Sequence, residues 1–205
     1  GNVVAGVATI LDISSQRLAG ENRRMLSTAT EILASSLDYE DTIRQVAELA
    51  VPGLADWVAV DILDDKGLSR RVAVAHEDPA KVALARDIAE RYPPEPDAPR
   101  GTAFVIRTGQ RDIGENVTDE MIEAAARDPE HRELIKTLGI RSWLCVPILA
   151  GDQVLGAITL VGSVPGRFGP DEVAFAETLA ARIALAISNA KAFREAVRYK
   201  RVLDA

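Results

Sequence analysis

Residues 142–162 read SWLCVPILAGDQVLGAITLVG. Two runs rich in β-branched and large apolar residues, 142–149 and 154–162, flank the turn formers Ala150-Gly151-Asp152-Gln153. The pattern predicts a β-hairpin. Apolar residues follow one another here instead of alternating with polar ones, so both faces of the hairpin need covering. Pro147 cannot donate to a ladder, which predicts a bulge or an open edge at that point. Trp143 and Cys145, two apart, share one face of the first strand.

A second hairpin lies upstream. DWVAVDIL (56–63) alternates, with Val58, Val60 and Ile62 on one side, and SRRVAVAH (69–76) returns after Asp64-Asp65-Lys66-Gly67. Placing Ile62 opposite Arg70 puts Asp61 opposite Arg71 and Val58 opposite Val74, a register with one cross-strand ion pair. In it His76 shares a face with Val72 and Val74. Between the hairpins, Asp78-Pro79 starts a helix over 78–92. YPPEPDAPRG (92–101) holds four prolines, which exclude helix and central strand and predict a stiff surface loop. A short helix follows at 102–108, ending at Gly109, then an extended piece at 111–114. Helices are expected at 118–127 and 129–138, the second stopped by Gly139.

The ends read differently. GNVVAGVATILDI (1–13) has strand character. A helix over 16–37 repeats Leu18, Met25 and Ile32 at seven. Asp38 caps a further helix over 39–50. The last helix, 170–204, starts at Pro170 and carries two apolar stripes. Val173, Ala176, Ala180, Ile183, Ile187, Ala190 and Val197 form one, and Phe175, Leu179, Ala186 and Phe193 the other. One stripe suits the sheet and one a second copy, so a homodimer through the terminal helices is expected. Its seam residues are Leu18, Met25, Ile32, Val173, Ala180, Ile183, Ile187, Ala190 and Val197.

Composition narrows the function. Lys and Arg number 24 against 31 Asp and Glu, a formal charge of −7, and aromatics are 4%. Both argue against nucleic acid. A single cysteine excludes an internal disulfide and fits a reducing, cytoplasmic compartment. With only two histidines beside it, a structural zinc site has no ligand set. No uninterrupted apolar run approaches ~18 residues, so no membrane segment is expected. Phosphate-loop, dinucleotide, zinc-protease and nucleophile-elbow motifs are missing. With no nucleophile–base pair, carboxylate dyad or metal set, this fragment does not read as an enzyme. Cys145 reads as a buried thiol, Trp57 and Trp143 as core, Asp61 as the partner of Arg71, and His131, in DPEHRE, as solvated surface.

From Asp38 to about Phe193 the chain resembles a GAF domain, the small-molecule sensor module of bacterial signalling proteins. The resemblance is carried by LADWVAVDILD (54–64), RVAVAHEDP (71–79), RYPP (91–94), Thr108-Gly109, LGIRSWLCVPI (138–148), VLGAITL (154–160), RFGPDE (167–172) and LAARIALAISNA (179–190). The opening residues, with Asp12-Ile13-Ser14, resemble the last strand and exit of a PAS domain. The implied organisation is a PAS strand over 1–15, a connecting signalling helix over 16–37, a GAF domain over 38–193 and a linker helix from 194–205. That linker would lead to an output domain such as a histidine kinase, serine phosphatase or cyclase. The implied fold is α+β: a central antiparallel sheet of five or six strands, terminal helices on one face, loops and short helices over a pocket on the other. The implied ligand residues are His76, Phe104, Trp143 and Cys145, beneath the segment 77–139. Bilin-binding relatives carry a Cys next to a His, whereas Val146 follows Cys145, and the Asn-Lys pair of cyclic-nucleotide binders has no counterpart. Haem would have His76 alone. No cofactor is required by the sequence. The alternative is a ligand-free dimerisation and relay module whose pocket is filled by Trp57, Trp143 and Phe104.

Overall fold

The 142–162 hairpin stands near the middle of a five-stranded antiparallel sheet. A computed structural model describes residues 20, 23–36, 38–93 and 95–203. The strand expected at 1–13 and the seam residue Leu18 lie outside the described residues. The strands β1 (Trp57–Leu63), β2 (Ser69–Ala75), β3 (Asp112–Gly114), β4 (Ser142–Ala150) and β5 (Gln153–Gly162) are ordered β2-β1-β5-β4-β3. β4 and β5 pair from Ser142↔Gly162 to Ala150↔Gln153. Gly151 takes the first central position of the turn with φ 59°, a conformation that glycine adopts without strain. Pro147 is accommodated as its chemistry requires. β3 reaches only Trp143, Leu144 and Cys145, so Pro147 has a strand partner on one side alone, and a register shift follows between Ile148 and Leu149.

The β1–β2 register agrees with expectation at Ile62↔Arg70 and Asp61↔Arg71, and Asp61 accepts both Arg71 Nε and Nη2 at 3.1 Å. Beyond that pair a bulge changes the parity. Val60 meets Ala73, Ala59 meets Val74, and Val58 meets Ala75 and not Val74. One extra residue on β2 reverses the faces that follow it. Ala73 and Ala75 therefore join the core with Val58. His76 turns to the opposite side from Ala75 and packs on Trp57, ring centroids 4.3 Å apart, so it does not share a face with Val72.

Three helical segments cover one face of the sheet. They are α1 (residues 23–35), α2 (Tyr39–Leu49) and α7 (Pro170–Leu203). The Asp38 carboxylate starts α2 by accepting from the Glu40 and Asp41 N–H groups. Ile43 and Val46 of α2 and Leu179, Ile183 and Ile187 of α7 close over Val58, Val60, Leu144, Val146, Ile158 and Leu160. Each such side chain, fully buried, contributes about 1.5–3 kcal/mol.

This packing changes the reading of the expected dimer seam. Ala180, Ile183, Ile187 and Ala190 are buried in the chain's own core, and Met25, Ile32 and Val173 pack partly against it. A 3–4 apolar spacing serves sheet docking and helix pairing equally, and here the sheet takes it. The large apolar residues that α7 turns outward are Leu185, 63% exposed, Phe193, 51% exposed, and Tyr199, 70% exposed. By length and composition α7 through Lys200 is also apolar enough to cross a bilayer, although no unbroken apolar run marks it. Half of its most apolar stretch is buried within the chain, and docking on the sheet accounts for that hydropathy.

The short helices occupy the second face. They are α3 (Pro79–Arg91), α4 (Gly101–Thr108), α5 (Asp119–Ala125) and α6 (Pro129–Leu138). α4 lies on β4 and β5, and α6 packs against α3 and α5. Asp78, Thr118 and Asp128 accept from the Ala80, Met121 and His131 N–H groups to start α3, α5 and α6. Gly109 and Gly139 end α4 and α6 in the left-handed conformation.

Candidate functional site

The proline loop between α3 and α4 is held by arginines from below. Arg107 donates to the Pro96 and Ala98 carbonyls at 2.7 and 3.1 Å, and Arg127 to the Pro93 carbonyl at 2.6 Å. Under this loop, between α5, α6 and β4, lies a cavity of about 880 Å³. Its apolar wall comes from Val117, Met121, Ile122, Ile135, Ile140 and Trp143. Its polar wall comes from Tyr92, Glu95, Arg100, Arg127 and His131.

Two side-chain clusters shape the wall. Asp112, 6% exposed on β3, accepts from Trp143 Nε1 at 3.0 Å, the Gly101 N–H at 2.6 Å and Arg100 Nε at 2.7 Å. Three donors satisfy the buried carboxylate and hold the indole in one orientation. The Arg100 guanidinium stands 5.1 Å from the Trp143 ring centroid. In the second cluster Tyr92 stacks on His131 with centroids 4.0 Å apart and planes 4° from parallel. Asp128 joins the two, accepting from the Tyr92 hydroxyl at 3.1 Å and the His131 N–H at 2.8 Å.

His131 is therefore not solvated surface. It is 9% exposed, one helical turn from Ile135 on the inward face of α6. That i, i+4 relation to an apolar residue was a usable signal, outweighed by the charged residues around it. Its Nδ1 accepts from the Arg127 N–H at 3.2 Å, so a neutral ring carries its proton on Nε2. Burial, helped by Arg127, lowers its pKa below the ordinary 6.5. The folded chain thus binds fewer protons here than the unfolded chain once pH falls below about 6.5, and stability falls with pH in that window. His131→Asn keeps an acceptor but does not titrate. Its melting temperature is expected to drop less than that of the parent between pH 7.5 and 5.5, by about 2 °C. Equal drops in the two proteins would contradict a buried, neutral His131.

Of the four residues expected to meet a ligand, Trp143 lines the cavity and three do not. Cys145, on the same face of β4, is covered by α4 and packs with Val105 and Ala157. Phe104 packs against that same small core. Thr159 Oγ donates to the Cys145 sulfur at 3.2 Å, and burial pushes the thiol up to about 12. His76 rests on Trp57, whose Nε1 donates to the Leu138 carbonyl at 3.2 Å. Trp57 and Phe104 being placed elsewhere, neither fills the cavity as a collapsed pocket would require. Tyr92, Arg100, Arg127 and His131 were not expected at the site. Three of them lie at helix or loop ends whose mutual approach is a matter of packing.

A central antiparallel sheet with terminal helices on one face and a loop-covered cavity on the other is the architecture implied by the sequence resemblance. The family model described as GAF domain matches residues 38–187. The chain belongs to the GAF domain family. The match begins at Asp38, the cap of α2, and ends at Ile187 inside α7.

Solved structures agree at the level of fold. The GAF domain from a phosphoenolpyruvate-protein phosphotransferase of Coxiella burnetii is 20% identical with a TM-score of 0.63, covering 86% of this chain and 98% of that one. The corresponding domain from Acinetobacter is 18% identical with a TM-score of 0.59, covering 85% and 97%. Free methionine-R-sulfoxide reductase from Neisseria meningitidis is 12% identical with a TM-score of 0.59, covering 83% and 90%. Among curated proteins none matches this sequence. GAF domains are regulatory modules, and membership of the family supports a regulatory, non-enzymatic role for this fragment. Likeness to the reductase is likeness of fold alone. The one cysteine here, buried with its pKa near 12, supplies essentially no thiolate at neutral pH.

Proposed function

We propose that this GAF domain is the sensory module of a signalling protein, and that it binds a small molecule in the cavity under the proline loop. The observation that carries this reading is the alternation along β4. Trp143 lines the cavity, while Leu144, Val146 and Ile148 of the same strand are buried in the core beneath α7. A ligand resting on Trp143 bears on the strand that supports the long terminal helix. It biases α7 only as far as it binds one helix arrangement more tightly than another.

In this reading two copies pair through the terminal helices, with Leu185 and Phe193 of α7 exposed and Val197 half-buried. α1 and the end of α7 pass the bias to neighbouring segments: a preceding PAS-like domain whose terminal strand is residues 1–15, and an output domain of the histidine kinase, serine phosphatase or cyclase type. The protein works in the cytoplasm, in keeping with its unpaired thiol.

A native mass spectrum of the purified chain tests the reading. The expected result is a dimer carrying the added mass of one organic molecule per chain. A dimer at the bare sequence mass, unchanged when metabolite extracts are added, supports a ligand-free relay instead. A bare monomer at all concentrations contradicts pairing through these helices.

A further inference from the structure

We propose that the cavity accepts a planar, largely apolar organic anion of the aromatic carboxylate class. The inference rests on the sensory reading above and names what that site recognises.

Shape and polarity come first. Met121, Ile122, Ile135 and Ile140 give the wall its apolar character, and Trp143 adds a broad flat surface already fixed by Asp112. A ring settling against a held indole orders little of the protein, which favours binding. Met121 is unbranched and adapts to the outline of a rigid ring.

The polar part of the wall mainly offers donors. With Nδ1 occupied, neutral His131 presents an Nε2–H. The Tyr92 hydroxyl is already directed to Asp128. Arg100 is paired with Asp112. Arg127 is the least saturated cation. Among the described residues its guanidinium donates to the Pro93 carbonyl, and its nearest carboxylate oxygen, on Glu95, is 3.7 Å away. That distance is too long for a hydrogen bond, and a guanidinium has five N–H donors to place. A carboxylate matches this fork, forming charge-assisted pairs that a neutral group cannot. Glu95 is the one acidic side chain on the wall, and it is largely exposed. A chain with formal charge −7 thus keeps an incompletely paired cation beside a largely apolar cavity.

The test uses two probes with one ring system, 2-naphthoate and 2-naphthylmethanol, titrated calorimetrically into the whole chain at neutral pH. Naphthoate is expected to bind at least tenfold more tightly. Arg127→Gln brings the ratio of the two affinities close to one, whereas a loosened loop weakens both probes and keeps the ratio. Ile135→Trp fills the cavity and weakens both probes. Equal affinities that Ile135→Trp abolishes overturn the anionic class while leaving the sensory reading in place. Failure of both probes to bind also overturns it, and the sensory reading then stands or falls on the native mass spectrum. A preference that survives Arg127→Gln overturns the assignment to Arg127.

Discussion

Replacing Gly156 by alanine is expected to destabilise the domain severely and lower its urea midpoint. Gly156 sits on β5 between Ile62 of β1 and Ile148 of β4. A Cβ there would collide with the Asp61 carbonyl oxygen and stand 3.0 Å from the Ile62 Cα. Both are backbone atoms of a neighbouring strand, so no rotamer change relieves the contact. β1 and β5 would have to part, and they hold together the two hairpins on which α2, α4 and α7 pack. The cost is about 3 kcal/mol or more, a large share of the ~5–15 kcal/mol that holds a domain folded. Urea unfolding followed by circular dichroism checks it, with Gly53→Ala as control. A methyl group at Gly53 meets only the tip of Met25, at 4.0 Å, and should leave the midpoint nearly unmoved. A Gly156→Ala protein with the parent midpoint would mean that the strands do not approach as described.

Asp112→Ala should produce the second large loss, and it acts on the candidate site itself. The substitution strips the acceptor from the Gly101 N–H, from Trp143 Nε1 and from Arg100. Arg100 is 54% exposed on its side chain and can turn to water, so its share is small. The other two donors are part-buried, and leaving them unpaired costs about 2–3 kcal/mol in all. The indole also loses its anchor. Trp143 emission is therefore expected to shift to the red in the folded variant, measured in a Trp57→Phe background so that Trp143 is the one emitter. Asp112→Asn keeps an acceptor and should fall between parent and alanine. If Asp112→Ala changed neither the unfolding midpoint nor the emission, the carboxylate would not organise the cavity wall.

Most of the element order was legible because its signals are local. Asp38, Asp78 and Asp128 announce α2, α3 and α6 by hydrogen-bonding to N–H groups two or three residues on. Gly109 and Gly139 end helices at positions that favour glycine. Gly67 and Asp64 close the first hairpin within four residues: the Asp64 carboxylate accepts from the Lys66 and Leu68 N–H groups. In each case the residue type and the geometry it imposes are separated by less than one turn of chain. The resemblance to GAF domains, resting on such ordered short motifs, placed the sheet and its two coverings correctly.

The site was legible only in outline. That the segment 77–139 would cover a pocket over β4 could be read, and Trp143 was picked out, yet its neighbours were not. His76 changed faces because of one extra residue in β2, and that bulge is a property of the β1–β2 pair, not of either strand. Cys145 and Trp143 point to the same side of β4, but α4 seals the one and leaves the other open. His131 is buried by Tyr92, a residue from a separate helix end. The apolar stripe of α7 stated that something must cover it and not what. Ile183 and Ile187 would have suited a partner helix as well as the sheet that took them.

The sequence by itself determined where the chain turns, where helices start and stop, which faces are apolar, and the family those motifs belong to. Backbone hydrogen bonding and side-chain periodicity act over a few residues and leave their mark in the order of residue types. Tertiary structure decided which apolar stripe met the sheet, that the one thiol was sealed, and which arginine on the cavity wall was left incompletely paired. Those outcomes depend on the close packing of elements brought together from distant parts of the chain, where one bulge or one covering helix redirects a side chain without changing its local pattern.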